Sequence, residues 1–191
     1  MPADSSARWS TRSWARCSSP SPRISAPSSR PGSKSCTGRG NSPMKPRGIN
    51  RVIIAVRDIE RAKALYSDLL GATFHDANWT GEPFGINVAI SWDAGIELCA
   101  PMPGRQKDSA MSPFLEEHGE GIVNVVFGVD DAEEARNRAD RVGVPAVIPI
   151  NYTQEEIDRH LGGLFKTYKE YFLDSAQKCG FSVTLGQIDP K

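Results

Sequence analysis

Residues 49–71 read INRVIIAVRDIERAKALYSDLLG, and this stretch predicts one buried strand, a two-residue turn and one amphipathic helix. The strand, residues 49–56, is rich in β-branched apolar residues, as expected of a strand that is well covered. Asp58 is placed to cap the helix, and Gly71 is placed to end it in the left-handed conformation. One charged residue, Arg51, lies near the start of the strand, and its role decides which chemistry the chain can carry out.

The same design returns in residues 121–143, which read GIVNVVFGVDDAEEARNRADRVG. A shift of 73 positions aligns the two strands and places Asp131 where Asp58 stands in the first copy. Glu134 follows Asp131 as a capping-box partner. Each strand–helix unit is followed by three more apolar runs, so the chain contains an internal repeat. We expect the two halves to pair their sheets around one shared interior.

The remaining apolar runs lie between Gly, Pro and Asp turns and predict strands at residues 73–78, 85–92, 95–100, 145–150, 166–172 and 181–185. A short helix is predicted in SPFLEEHG, residues 112–119, with Ser112 as its cap and Pro113 at its first position. An insertion in the second half, residues 151–164, carries a capping box made by Thr153 and Glu156. His160 lies one turn after Glu156 on the same helical face. This helix is either a lid over the interior or a solvated surface helix.

Composition divides the chain into two unlike parts. Residues 1–43 contain 13 Ser, 6 Pro and 7 basic residues against a single acid, which gives them a net charge of +6. Residues 44–191 carry the balancing net charge of −6, since the whole chain has 23 basic and 23 acidic residues. We predict that residues 1–43 are disordered, because they have too few apolar residues to bury a core. They are a leader, a basic tail, or an extension upstream of a true start at Met44, and we favour the last interpretation.

Composition also excludes several classes of protein. Cys99 and Cys179 are the cysteines of the folded part, and neither belongs to a CxxC pair, which argues against a disulfide framework or a zinc knuckle. A reducing, cytoplasmic location fits this pattern. No apolar run approaches the ~18 residues of a membrane span. An acidic domain without basic clusters argues against a nucleic-acid partner.

The folded part resembles the vicinal oxygen chelate superfamily, which includes glyoxalases, methylmalonyl-CoA epimerases, extradiol dioxygenases and bleomycin-resistance proteins. The resemblance covers about residues 49–187, and its FLEEHGEGI stretch is closest to the epimerase branch. It implies an α+β fold for a domain of residues 44–191, in which two paired βαβββ modules, about residues 49–102 and 121–187, form a half-open barrel around a ligand. It also implies a homodimer. The matching stretches are RVIIAVRDIERAKALYSDLLG, GIELCAP, FLEEHGEGIVNVVFGVDD and FLDSAQKCGFSVTLGQ.

Metal-dependent members of this superfamily take one ligand from each of four strands. The matching positions in this chain are Arg51, Glu97, Asn124 and Thr184, of which only Glu97 keeps a ligand chemistry. A guanidinium has N–H donors and no lone pair for a cation. We therefore predict that the usual four-ligand metal centre is absent, that no cofactor is required, and that a divalent metal is disfavoured.

Arg51 then has one of two roles inside the barrel: it pairs with Glu97, or it holds an anionic group of the ligand. The alternative is that both side chains reach solvent at a strand edge. The period-2 pattern favours the interior, because Glu97 shares a face with Cys99 and Arg51 shares a face with Ile53.

The stretch FKTYKEYF, residues 165–172, offers further candidates on both of its faces. Alternation puts Lys166, Tyr168 and Glu170 on one face and Thr167, Lys169 and Tyr171 on the other, without deciding which face meets the ligand. Tyr168 or Tyr171 could donate a proton, and Lys169 could stabilise an enolate. The predicted catalytic residues are Glu97, Arg51, Tyr168 and Lys169. The predicted substrate-binding residues are Asn124, Thr184, Cys99, Tyr171 and His160.

Two functions of different classes remain open, with a third behind them. The first is a lyase or isomerase that acts next to a carbonyl or carboxylate of a small molecule, with Glu97 moving a proton and Arg51 stabilising negative charge. The second is a protein that binds an aromatic or drug-like compound without catalysis. The third is a metal enzyme with relocated ligands such as Glu97, Glu156 and His160. The expected partner is a small molecule, anionic or carbonyl-containing.

Overall fold

The computed structural model describes residues 46–191, so the predicted disorder of residues 1–43 lies outside the described part of the chain. Within it, no helix is long and apolar enough to cross a membrane. The strands are β1 (Pro46–Ala55), β2 (His75–Asp76), β3 (Ile86–Ser91), β4 (Ile96–Pro101), β5 (Gly121–Val129), β6 (Ala146–Asn151), β7 (Phe165–Leu173) and β8 (Ser182–Pro190). The helices are α1 (Ile59–Leu70), α2 (Asn78–Gly81), α3 (Ser112–His118), α4 (Ala132–Arg141), α5 (Gln154–His160) and α6 (Ala176–Cys179), and a 3₁₀ turn covers Glu82–Phe84.

All eight strands belong to one sheet with the order β2-β3-β4-β1-β5-β8-β7-β6. The first strand of each half lies at the centre, where β1 and β5 pair antiparallel and join the two halves. On either side, β1 pairs in parallel with β4, and β5 pairs in parallel with β8. The repeat found in the sequence is therefore a repeat of topology. The predicted α+β fold, with two βαβββ modules forming a half-open barrel, is confirmed.

The apolar run in β1 is covered on both faces, because its side chains alternate between two cores. Ile53 and Ala55 lie on the inner face, where they pack with residues of β3 and β4 such as Val88. Ile54 and Ala62 belong to a separate core, between the outer face of this half and α1. On this inner face, α3 and the segment before it contribute Leu115 and Met111 to the core, and a cavity lies between them and the central strands.

Most of the local signals act as predicted. The Asp58 carboxylate accepts a hydrogen bond from the Arg61 backbone at 3.0 Å, and Gly71 ends α1 with φ of 70°. Asp131 caps α4 in the same way. Thr153 and Glu156 form the complete capping box at the start of α5.

Three local predictions are wrong, each because a side chain has another partner. Ser112 is not a cap, because α3 already includes it and its hydroxyl donates to the Gln106 carbonyl at 2.5 Å. Glu134 pairs with Arg138 rather than completing a capping box. The strand predicted at residues 73–78 is only two residues long, because Asn78 begins α2 and its side chain accepts a hydrogen bond from the Val88 backbone at 2.8 Å.

Close packing of α2 against β3 predicts a large effect of Gly81→Ala. A Cβ atom at position 81 would overlap the carbonyl oxygen of Ile86 and would lie 2.7 Å from Cγ2 of Val88. Overpacking of this kind costs about 1–3 kcal/mol, so we expect the free energy of unfolding in urea to fall by that amount. Gly121→Ala is the matched control, since nothing lies within 4 Å of its added Cβ. Equal stability of the two variants would contradict this packing.

Candidate active site

The inner face of the sheet lines a cavity of about 440 Å³. Its walls are mostly apolar and come from β3, from the segment before α3 and from α3 itself, with Val88, Met111 and Phe114 as examples. Four buried polar side chains of the lining, Arg51, Glu97, Asn124 and Glu170, lie on the central strands β1, β4 and β5 and on β7. The cavity therefore combines apolar walls with a polar, largely buried floor, as binding sites for small molecules commonly do.

Arg51 lies at this floor and is only 2% exposed, so the prediction that it points inward is confirmed. Its Nε donates to Glu97 Oε2 at 2.5 Å, and its Nη1 and Nη2 donate to the two carboxylate oxygens of Glu170 at 2.8 and 3.2 Å. Nη1 also donates to Asn50 Oδ1 at 3.1 Å, and Nη2 donates to the Tyr168 hydroxyl at 3.0 Å. These contacts occupy all five N–H groups of the guanidinium.

Arg51, Glu97 and Glu170 form what we call the charge cluster, in which two carboxylates share one guanidinium. Burial tends to lower the pKa of Arg51, but the charges around it, chiefly Glu170, hold that pKa well above its ordinary value. Burial raises the pKa of Glu170, against the opposing effect of Arg51 and of the Tyr168 hydroxyl, which donates a hydrogen bond to it. With both carboxylates ionised, the cluster carries one negative charge in excess.

Glu97 is the less enclosed carboxylate of the cluster. Its side chain is 10% exposed, against 2% for Glu170. Arg51 occupies only one of its oxygens, and the other accepts a weak contact from the Cys99 thiol at 3.6 Å. Burial and the neighbouring Glu97 raise the pKa of Cys99, which keeps it a neutral thiol rather than a nucleophile. Glu97 thus has hydrogen-bonding capacity left for a ligand.

The register of the central strands sets these positions. Ile53 of β1 is paired with Glu97 of β4 on one side and with Asn124 of β5 on the other, and all three line the cavity. The Asn124 amide donates to the Ser182 hydroxyl at 3.1 Å. Its Oδ1 is buried and has no hydrogen-bond partner among the described residues.

Comparison of the sequence with models of known protein families identifies the family of the chain. A profile described as the Glyoxalase/Bleomycin resistance protein/Dioxygenase superfamily matches residues 50–160. The chain belongs to this superfamily. Among proteins of curated function, no sequence matches it.

Solved structures with the same fold include methylmalonyl-CoA epimerases, in agreement with the branch predicted from the sequence. The epimerase from Mycobacterium tuberculosis is 23% identical, with a TM-score of 0.59 over 80% of this chain and 94% of that one. An epimerase solved with methylmalonyl-CoA and NH4+ is 19% identical, with a TM-score of 0.60 over 76% of this chain and 100% of its own. A variant of the Streptomyces coelicolor epimerase solved with 2-nitronate-propionyl-CoA is 19% identical, with a TM-score of 0.60 over 77% of this chain and 100% of its own. At these identities the likeness shows the fold.

At the four positions where metal-dependent members of the superfamily carry ligands, this chain has one guanidinium and three oxygen-bearing side chains. Arg51 fills the first position with a cation whose donors are all occupied by protein groups. Thr184 lies on β8 in register with Val126 and Phe172, fully buried and away from the cavity lining. One carboxylate and one amide oxygen remain, which is a poor donor set for a transition metal.

The proposed relocation of metal ligands is not supported by the geometry either. Glu156 accepts hydrogen bonds from Thr153 in the capping box. His160 is exposed and its ring stacks on Trp79, with 4.3 Å between the ring centroids, so it does not line the cavity. Within residues 46–191, no group of three or more His, Cys, Asp or Glu side chains is placed to hold an ion.

The two faces of β7 have different surroundings. Tyr168 and Glu170 lie on the inner face and line the cavity. Lys169 and Tyr171 lie on the outer face, where both contact Glu133 of α4, at 3.3 and 2.6 Å. Because α4 covers that face, Lys169 and Tyr171 are placed away from the cavity, contrary to the expectation that they meet the ligand.

Tyr152, Glu170 and Ser182 are polar residues of the cavity lining that were not assigned a role from the sequence. Alternation along β7 places Glu170 on the same face as Tyr168. A cavity position for Tyr168 therefore also predicts a cavity position for Glu170. Burial and the nearby carboxylates raise the pKa of Tyr152 well above its ordinary value. Tyr152 therefore keeps its proton at neutral pH and faces the cavity as a hydrogen-bond donor.

We expect Arg51→Met to destabilise the protein strongly, because it leaves two buried carboxylates without a cation. Loss of one partner from a buried ion pair costs about 3–5 kcal/mol, to be measured by urea unfolding at pH 7. The control is Arg159→Met, which removes an exposed ion pair with Glu155 and should change stability far less. A loss as small as that of the control would show that the charge cluster does not hold the fold.

A second prediction concerns pH. The pKa of Glu170 is raised above its ordinary value of 4.5, so the folded protein holds this proton more tightly than the unfolded chain does. Its stabilising contribution is therefore complete below the ordinary value and is lost as pH rises through the raised pKa.

Glu170→Gln removes this titration while keeping the shape of the side chain. The free energy of unfolding of the wild type minus that of the variant should therefore fall as pH rises through this window, by at most about 1.4 kcal/mol per pH unit. Urea unfolding at a series of pH values measures it, with the exposed Glu155→Gln as control. A difference that stays constant or grows with pH would contradict the assignment.

Proposed function

We propose that the chain is a small-molecule enzyme of the isomerase or lyase type, in which Glu97 moves a proton at a carbon next to a carbonyl group. The observation that carries the proposal is Glu97 itself, a carboxylate that is fixed by Arg51 through one oxygen and faces an apolar cavity with the other. A base held in one orientation in a site of this kind suits proton abstraction from carbon. One similar structure holds methylmalonyl-CoA, an acyl thioester whose carbonyl-adjacent carbon is a carbon acid of this kind.

In this mechanism Arg51 positions the base and does not bind the substrate, since it has no free donor. Glu97 accepts the proton from carbon, and the bonding electrons move onto the carbonyl oxygen to give an enolate. The charge cluster then holds a neutral Glu97 beside the Arg51–Glu170 pair, so the negative charge has moved to the substrate without a change in total charge. Tyr152 is placed to donate its O–H to the enolate oxygen. Return of the proton from Glu97 to a different carbon of the delocalised enolate completes an isomerisation.

We propose that the reaction is independent of a divalent metal. The donor set described above supports this, because a guanidinium stands at the first ligand position. The expectations of a homodimer and of a cytoplasmic location stay predictions. Exposed apolar side chains on α1, namely Leu65, Leu69 and Leu70, favour contact with another chain.

Binding without catalysis is the second candidate function. It is favoured by the apolar walls of the cavity and by the fact that Arg51 is fully engaged within the protein. A binding protein needs the cavity but has no use for Glu97 as a base. Substitution of Glu97 therefore separates the two functions.

Glu97→Gln tests the proposal. In D2O, the wild type should exchange the carbonyl-adjacent hydrogens of one member of a panel of acyl thioesters and ketones, as followed by proton NMR. The exchange should persist after dialysis against EDTA. In the variant the exchange rate should fall by about 100-fold or more, while the same compound still binds in the cavity, because the base is lost and the cavity is kept.

Glu116→Gln is the matched control, since this exposed carboxylate on α3 lies outside the cavity lining. Its exchange rate should equal that of the wild type. Binding of a panel compound without any exchange in the wild type would favour the binding protein. Exchange that stops on EDTA treatment and returns with a stoichiometric metal would contradict the metal-independent mechanism.

A further inference from the structure

The floor of the cavity carries an excess negative charge when both carboxylates of the charge cluster are ionised. The charge cluster contains two carboxylates and one guanidinium, and every N–H group of Arg51 already has an acceptor within the protein. No donor of Arg51 is left for an anionic ligand. An anion at the floor would meet an excess negative charge in a largely buried site, where screening by water is weak.

An independent observation concerns Asn124, which is 5% exposed and lines the same cavity. Its amide nitrogen donates to Ser182, which leaves Oδ1 as the unused part of the side chain. This oxygen is buried and has no partner among residues 46–191. A buried acceptor without a donor is costly, so a donor on the ligand would relieve that cost.

The unpartnered Asn124 oxygen lies on the same side of the sheet as Glu97, whose cavity-facing oxygen has only the weak contact from Cys99. Glu97 and Asn124 are the register neighbours of Ile53 on its two sides, so their Cα atoms are separated by two strand spacings, or about 10 Å. Their side chains converge on the cavity above Ile53. The surroundings of this point are apolar and aromatic, including Phe172 and Tyr152.

The charged residues at the mouth of the cavity do not restore the balance. Lys107, Asp108 and Glu117 line the mouth and are exposed. They add one positive and two negative charges, so the entrance carries the same sign as the floor. A ligand with a free carboxylate is therefore disfavoured along the whole path.

We propose that the cavity selects a ligand whose buried end is a protonated amine, bound between Glu97 and Asn124, with an apolar body against the walls of β3 and α3. This proposal rests on the proposed function in one respect, that the ligand binds in the cavity lined by Glu97. It narrows the expected partner from an anionic or carbonyl-containing molecule to a cationic one, which can carry a carbonyl elsewhere in its structure.

Three probes with the same phenylbutyl body test the selection: 4-phenylbutylamine, 4-phenylbutanol and 4-phenylbutyrate. Binding to the full chain at pH 7 is measured by isothermal titration calorimetry. We expect the amine to bind about tenfold or more tightly than the carboxylate, with the alcohol between them. The free energy of one ion pair in a partly desolvated site is larger than a tenfold difference in affinity requires. The body is common to all three probes, so the ratio reports the charge of the end group.

Two substitutions of nearly unchanged shape move the ratio in opposite directions. Glu97→Gln removes the excess negative charge and should bring the affinities of amine and carboxylate to within about threefold of each other. Asn124→Asp adds a negative charge at the second acceptor and should widen the preference for the amine. A thermal melt of each variant shows whether it is folded, and the opposite signs separate recognition from general damage to the fold.

The inference is overturned if the carboxylate binds as tightly as the amine, if Glu97→Gln leaves the ratio unchanged, or if none of the three probes binds. Its failure is distinguishable from that of the enzyme proposal. Hydrogen exchange on a substrate with a free carboxylate would support the enzyme and overturn the amine selectivity. An amine preference without hydrogen exchange on any compound would support the selectivity and remove the enzyme.

Discussion

The structure depends on one interaction, the sharing of the Arg51 guanidinium between Glu97 and Glu170 beneath the cavity. The three side chains come from β1, from its neighbour β4, and from β7, which lies three strands away from β1 in the sheet order. The sheet must curve for β7 to bring Glu170 to Arg51, so the charge cluster and the half-barrel shape require each other. A buried cation without these partners, or these carboxylates without the cation, would cost more than the apolar cores could easily offset. The cluster therefore ties the shape of the cavity to its charge.

The division of labour within the cluster follows from how completely each carboxylate is enclosed. Glu170 has two oxygens on Arg51 and a further hydrogen bond from Tyr168, so it is a structural counter-ion. Glu97 keeps one oxygen for the cavity, with only a thiol contact from Cys99. One arginine thus anchors one carboxylate in the protein and orients the other toward a ligand. The same arrangement leaves the excess negative charge on the side that the ligand meets.

Much of this was predictable from local patterns in the sequence. The spacing of β-branched residues around Arg51, together with the repeat at residues 121–143, predicted the central strands, both helix caps and the inward direction of Arg51. The partner Glu170 was not predictable in the same way, because alternation assigns residues of β7 to two faces without saying which face is inside. That choice depends on where α4 packs, and α4 covers the face of Lys169 and Tyr171. The saturation of Arg51 likewise depends on contacts between distant strands.

The replacement of a metal ligand by arginine changes the chemistry of the site more than the loss of an ion would suggest. A divalent cation bound by side chains keeps open positions at which a substrate oxygen can coordinate and be polarised. A guanidinium polarises only the groups that its N–H donors touch, and in this chain those groups are all protein atoms. In the proposed mechanism, activation of a substrate comes from Glu97 as a base and from neutral donors such as Tyr152. Under the proposed amine selectivity, the ligand brings the positive charge that balances the charge cluster, so the charge of the ligand is linked to the presence of an arginine at the first ligand position.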